Sequence, residues 1–157
     1  MPKPNVYTQI YIQLVFSPKH RNALLHEKIR PAVFSYISGI VDEMSHKSIA
    51  VNGMSDHVHI LLGLNPKISI SDTVRDIKRS SSLFINSNHF CRYRFEWQEG
   101  YGGFSYGRSN LDKIYKYVLN QEKHHQKMEF KTEYLGLLDK FEIPYEDQYL
   151  FQFFDPQ

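Results

Sequence analysis

Cysteine occurs once in the 157 residues, at Cys91, which excludes an internal disulfide and fits a reducing cytoplasm. A lone cysteine reads more readily as a small buried hydrophobe than as a nucleophile. Long apolar runs are missing too. No stretch approaches the ~20 residues of a membrane span, and the opening Met-Pro-Lys-Pro-Asn lacks the apolar segment of a signal peptide. The expectation is a cytoplasmic protein without membrane association. Glycine (8) and proline (7) are sparse, and no repeat, low-complexity run or linker divides the chain. One domain spanning 1–157 is expected, long enough to bury a core without a disulfide or structural metal.

What is abundant is aromatic: 11 Tyr and 11 Phe, too many for all to be functional. The net charge of +2 hides an asymmetry. Residues 129–157 hold seven acids against Lys131 and Lys140, a net of −5, whereas 1–128 carry 17 bases and ten acids, a net of +7. A basic body with an acidic C-terminal extension is compatible with a polyanionic partner.

Periodicity orders the chain. Val6–Phe16 is β-branched and aromatic and reads as a strand, ended by Pro18 and the basic Lys19-His20-Arg21. Glu27–His46 carries apolar residues at helical spacing. Ser48–Asn52 and His57–Leu64 read as strands around a turn at Gly53–Asp56. Ser71 is the expected cap of a helix reaching about Asn86. Arg94–Gln98 reads as extended, before the glycine-rich Glu99–Gly103, and a last helix is expected from Ser109 or Asn110 to about Gln126. The order β-α-β-β-α-β predicts an α+β, ferredoxin-like or RRM-like antiparallel sheet, with a further C-terminal helix. Such a fold does not specify a function.

Two groups of residues invite chemistry. In His57-Val58-His59 the imidazoles at i and i+2 share one face of a strand, which makes half of a divalent metal site; a solvated sheet face is the other reading of the pair alone. On the last helix, Leu111, Ile114, Tyr115, Val118 and Leu119 form an apolar face, and Tyr117, Gln121 and His124 a neighbouring stripe with Asn110 and Lys113. On this reading Tyr115 faces the core and Tyr117 is the available tyrosine.

Three segments, Met54-Ser55-Asp56-His57-Val58-His59-Ile60-Leu61-Leu62, Trp97-Gln98-Glu99-Gly100-Tyr101-Gly102-Gly103-Phe104-Ser105 and Tyr117-Val118-Leu119-Asn120-Gln121-Glu122-Lys123-His124-His125, closely resemble the single-tyrosine HUH transposases. These are the very small insertion-sequence enzymes and their relatives, the REP-associated tyrosine transposases. The resemblance runs from about Tyr7 to about Tyr149. It implies that Tyr117 is the nucleophile and that His57, His59 and Gln121 hold a divalent metal, Mg²⁺ or Mn²⁺. It also implies single-stranded DNA with hairpin ends as partner, and a homodimer whose cis or trans use of the tyrosine stays open. Gly103 stands where the family usually has alanine, and Tyr106-Gly107 replaces a small aliphatic–serine pair. Lys19, Arg21, Lys78, Arg79, Arg92 and Arg94 are candidate phosphate binders. The alternatives are a non-catalytic or host-retained nucleic-acid-binding protein of the same fold, and a zinc hydrolase, for which Gln121 is a weak third ligand.

Overall fold

The computed structural model describes residues 5–154. The opening residues 1–4 and the end of the acidic extension, 155–157, lie outside the described residues. Four strands, β1 (Tyr11–Phe16), β2 (Lys47–Met54), β3 (His57–Gly63) and β4 (Gly102–Tyr106), form one antiparallel sheet in the order β2-β3-β1-β4. Helices α1 (Arg30–Glu43) and α2 (Ile70–Ser87) complete the β-α-β-β-α-β order expected from the sequence. Beyond β4 come α3 (Leu111–Leu119), α4 (Gln121–His124) and α5 (Phe130–Lys140).

Strand β3 is buried along nearly its whole length, so both of its faces are covered. Val58, Ile60 and Leu62 pack with Ile12, Leu14 and Phe16 of β1 and with Val33, Ile37 and Val41 of α1 and Val74, Ile77 and Ile85 of α2. Burying each such side chain contributes roughly 1.5–3 kcal/mol. On the opposite face Leu61 and Ala50 meet Ile114 and Val118 of α3. His57 and His59, two residues apart, point to this second face. Among the described residues no helix is long and apolar enough to cross a membrane.

Four expectations need correction. The first strand begins at Tyr11 and not Val6, because its partners end there: Tyr11 pairs with Gly63 on one side and Tyr106 on the other. The fourth strand is the glycine-rich segment itself, Gly102–Tyr106, whereas Arg94–Gln98 makes only a bridge from Trp97 to Pro18. A Cβ at Gly102 would lie 2.8 Å from the Tyr134 ring, so α5 can cross this strand only over a glycine. The cap of α2 is Ser69, whose Oγ accepts from the Asp72 amide at 3.0 Å, while Ser71 bonds the Tyr101 hydroxyl. The last helix does not run unbroken to Gln126: it is interrupted at Asn120. The acidic extension contributes α5. α5 buries Phe130, Glu133, Tyr134 and Leu138.

Candidate active site

The β2–β3 turn positions His57. Gly53 approaches so closely that a Cβ there would come within 2.2 Å of the His57 carbonyl. The turn is tied down from outside by Ser17 Oγ donating to the Asp56 carbonyl (2.7 Å) and the Leu25 amide donating to that of Ser55 (2.9 Å). His57 then lies flat on Phe130, ring centroids 4.2 Å apart.

Three imidazoles turn the same nitrogen inward. His57 Nδ1 lies 2.7 Å from the Asp56 carboxylate, and His125 Nδ1 2.6 Å from the Met128 carbonyl. Both partners only accept, so each Nδ1 carries the hydrogen and donates it. His59 Nδ1 donates to Gln13 Oε1 at 2.6 Å, and Gln13 Nε2 donates to the Tyr106 hydroxyl at 2.7 Å. Each Nε2 is thereby left with a lone pair, the arrangement seen for metal-binding histidines.

What these lone pairs face is again acceptors. Gln121 Oε1 lies 2.9 Å from His57 Nε2 and 3.0 Å from His125 Nε2. Glu133 Oε1 lies 2.9 Å from His59 Nε2, 3.1 Å from His125 Nε2 and 3.4 Å from His57 Nε2. Ligand atoms of His57, His59, His125 and Glu133 all fall within 4.8 Å of one another. Lone pairs and a carboxylate converging on one point are mutually repulsive unless a cation sits among them, so the donor set fits a divalent ion.

The nucleophile candidate joins the same cluster. The Tyr117 hydroxyl donates to Glu133 Oε2, Gln121 Nε2 donates to that oxygen at 3.3 Å, and the Tyr117 ring stands edge-on to His59. Burial pushes the Tyr117 phenol above its usual range, and the neighbouring carboxylate pushes it further. Glu133 is held well below the usual carboxylate range: burial opposes ionisation, but His59, His125 and His57 outweigh it. Burial pushes His59 down, only partly offset by Glu133. His125 is raised, because Glu133, the Met128 carbonyl and Asp56 together exceed its burial.

The structure thus brings together His57, His59, Tyr117 and Gln121, and adds Glu133, His125 and Gln13. Glu133 carries a signal in the sequence: it falls among Phe130, Tyr134 and Leu137 at helical spacing, and an acid among such apolar positions is seldom a solvated one. Gln13 was hidden as one polar residue in an apolar strand. Tyr106, a departure from the family pattern, reaches the site through Gln13. The facial assignment of the tyrosines is corrected: Tyr115 is 40% and Leu119 47% exposed, while Ile114 and Val118 are buried. Tyr117 is the one turned to the sheet, because the helix rests on Ala50 and Leu61.

The basic candidates divide. Lys78 departs from the expectation of a surface phosphate binder, since its ammonium donates to the carbonyls of Gln98 and Gly100, both at 2.7 Å. Arg79 pairs with Asp76 at 3.1 Å. Lys19, Arg21, Arg92 and Arg94 are exposed. The Cys91 thiol is half-buried and donates to the Leu24 carbonyl.

Comparison with known proteins adds the family. Residues 6–121 match the family model described as "Transposase IS200 like". The transposases for insertion sequence element IS200 of Salmonella typhimurium and Salmonella typhi are each 29% identical over 113 residues, which cover 69% of this chain and 74% of theirs. A crystal structure of a candidate transposase from Deinococcus radiodurans superposes with a TM-score of 0.61 at 20% identity, over 77% of this chain and 97% of that one. A REP-associated tyrosine transposase, solved bound to a REP hairpin, gives 0.56 at 14% identity, over 80% and 74%. These two likenesses bear on the fold. The family model, matched from β1 through Gln121, shows that the chain belongs to the IS200-like transposases, and with them to the DNA-cleaving enzymes of mobile elements.

Proposed function

We propose that the protein, acting as a single domain, cuts and rejoins single-stranded DNA at the ends of a mobile element through a tyrosine–DNA intermediate. The observation that supports this reading most is the meeting of the Tyr117 hydroxyl with the cluster of His57, His59 and Gln121. As the family resemblance implies, the substrate carries a hairpin near each end and the enzyme works as a homodimer. The solved relative that carries a REP hairpin agrees with such a substrate.

Tyr117 oxygen forms a bond to the scissile phosphorus, the bond from phosphorus to the 3′-oxygen breaks, and the phenol's proton ends on the 3′-hydroxyl. One ester replaces another, so no nucleotide cofactor is consumed and the reverse reaction can join a new 3′ end. His57, His59 and Gln121 would hold Mg²⁺ or Mn²⁺. When bound, the ion offsets charge on the phosphate and on the leaving oxygen. The chain's own part is to fix geometry: Phe130 and Asp56 orient His57, Gln13 orients His59, and the α3 backbone holds Tyr117 beside them.

The test is denaturing electrophoresis of the enzyme incubated with end-labelled single-stranded hairpin DNA and manganese. A covalent adduct is expected on the 5′ end that the cut creates, and the His57→Ala/His59→Ala double variant should lose it. DNA cleavage that leaves only free ends would favour a hydrolase, and hairpin binding without cleavage would favour the non-catalytic alternative.

A further inference from the structure

We infer that α5 supplies a further metal ligand to this site: Glu133 Oε1, assisted by His125 Nε2, completes the divalent-cation site of His57, His59 and Gln121, while Glu133 Oε2 holds the Tyr117 hydroxyl. The inference rests on the reading of His57, His59 and Gln121 as the metal site. It extends that reading to residues beyond the segment 6–121 that matches the family model.

The first argument is placement. Phe130 stacks on His57, and Tyr134 packs beside Gly102 of β4. Glu133 lies between these two contacts along α5, so the packing that seats the helix delivers the carboxylate to the cluster. It is only 4% exposed. Its backbone is fixed as well, by the Glu133 amide donating to the Glu129 carbonyl at 3.1 Å.

The second argument is partnership. A buried carboxylate needs a compensating charge. Among the described residues, every ion-pair partner of Glu133 is a histidine: His57, His59, His124 and His125. Three of those rings have their Nδ1 hydrogens committed to Asp56, Gln13 and Met128. No arginine or lysine among the described residues forms a salt bridge to it. A divalent ion satisfies the carboxylate and the three Nε2 lone pairs together.

The third argument is ligand chemistry. Two imidazoles and an amide are neutral, and such a set depends on DNA phosphate to supply negative charge. A carboxylate oxygen is a hard ligand suited to Mg²⁺ and Mn²⁺. With it, the protein holds its ion before DNA arrives. The same carboxylate, bidentate in function, ties the position of Tyr117 to the occupied site. His125 adds an imidazole and narrows the choice towards manganese.

The experiment is a Mn²⁺ titration of the purified full-length chain without DNA, following free Mn²⁺ by electron paramagnetic resonance, with circular dichroism of each variant as the check on folding. Wild type is expected to bind one ion per chain. Glu133→Gln, nearly isosteric, should weaken binding at least about tenfold, the scale of losing a partner that supports a metal site. His125→Ala should weaken it by less. A Glu133→Gln protein that binds within twofold of wild type, while His57→Ala/His59→Ala does not bind, overturns Glu133 as a ligand and leaves the histidine site standing. Undiminished binding by the double histidine variant instead overturns the histidine site itself. Should Glu133→Gln not fold, Glu133→Asp carries the test. The shorter side chain keeps the charge but withdraws Oε1 from the three Nε2 atoms, and an unchanged affinity there overturns the proposal. Wild type that binds no Mn²⁺ without DNA overturns it as well.

Discussion

At the scale of single residues, the site is a set of side chains each held by a second one. Tyr117→Phe keeps the ring against His59 and removes the hydroxyl that meets Glu133, so the covalent adduct should vanish while the fold persists. Tyr115→Phe, on an exposed side chain, should leave adduct formation within about twofold, because exposed substitutions seldom matter beyond ±0.5 kcal/mol. The reverse pattern on a denaturing gel would identify Tyr115 as the nucleophile. Gln13 makes a sharper case. It is fully buried and its amide links His59 Nδ1 to the Tyr106 hydroxyl. Gln13→Leu fills the same space but leaves that Nδ1–H without an acceptor, which costs about 1–3 kcal/mol and frees the ring to change tautomer. Mn²⁺ affinity should drop roughly 10–100-fold, with β1 still paired; calorimetric titration showing wild-type affinity would mean that ring orientation is set elsewhere.

At the scale of elements, the break at Asn120 separates the helix of Tyr117 from the turn that carries Gln121. Asn52 of β2 spans it from below, its amide donating to the carbonyls of Val118 and Leu119, both at 3.0 Å. Asn52→Ala leaves two helix-terminal carbonyls without this donor and should destabilise by about 1–2 kcal/mol, read from urea midpoints. It should also slow adduct formation more than Mn²⁺ affinity falls, since Tyr117 lies on α3 and none of His57, His59, Gln121, His125 and Glu133 does. An equal fall in both would show that the break moves as one piece. Lys78 fastens the loop before β4 in the same manner. Burial lowers its pKa from an ordinary 10.5 to about 8, against a smaller pull from Glu99. Between those two values the unfolded chain binds more protons than the folded one, so the contribution of Lys78 to stability rises with pH across that window. The wild-type advantage over Lys78→Met in urea denaturation should therefore grow from pH 8 to about pH 10, and a constant or shrinking difference would refute it. These elements also show what was legible in advance. Strand β3 with its two histidines and helices α1 and α2 follow from local periodicity, and Tyr117 and Gln121 from a motif. The fourth strand was misplaced because Arg94–Gln98 has the better strand composition, whereas Gly102–Tyr106 pairs with β1 under the crossing α5, a contact made by residues some thirty positions away. Glu133 is marked in the sequence only as an acid among apolar positions; the docking of α5 is what makes it part of the site.

At the scale of the whole molecule, the charge asymmetry takes a definite place. The Pro18–Trp97 bridge and the bonds from the Lys19 amide to the Glu96 carbonyl (2.8 Å) and from the Gln98 amide to the Ser17 carbonyl (2.9 Å) zip two basic loops together. Lys19 and Arg21 stand on one, Arg92 and Arg94 on the other. Their common end of the sheet is the end where the site lies, because Phe16 at the close of β1 pairs with Val58, between the two histidines. Glu96 sits among these bases, held below the usual carboxylate range by its bond to His20 and by Lys19 and Arg94 nearby. On the proposed function, Lys19, Arg21, Arg92 and Arg94 would follow a DNA backbone into the cluster. Each cation that neutralises a phosphate of a single strand releases counterions and contributes about 0.7 to the slope of log affinity against log salt. Lys19→Ala/Arg94→Ala should therefore flatten that slope by roughly 1.4 and weaken binding most at low salt, as read by fluorescence anisotropy of a labelled single-stranded hairpin in magnesium-free buffer. Lys78→Met serves as the internal contrast. Its ammonium is spent on the Gln98 and Gly100 carbonyls, so the slope should not move. A flattened slope in Lys78→Met and an unchanged one in the double variant would place the DNA path along α2 and away from the two basic loops.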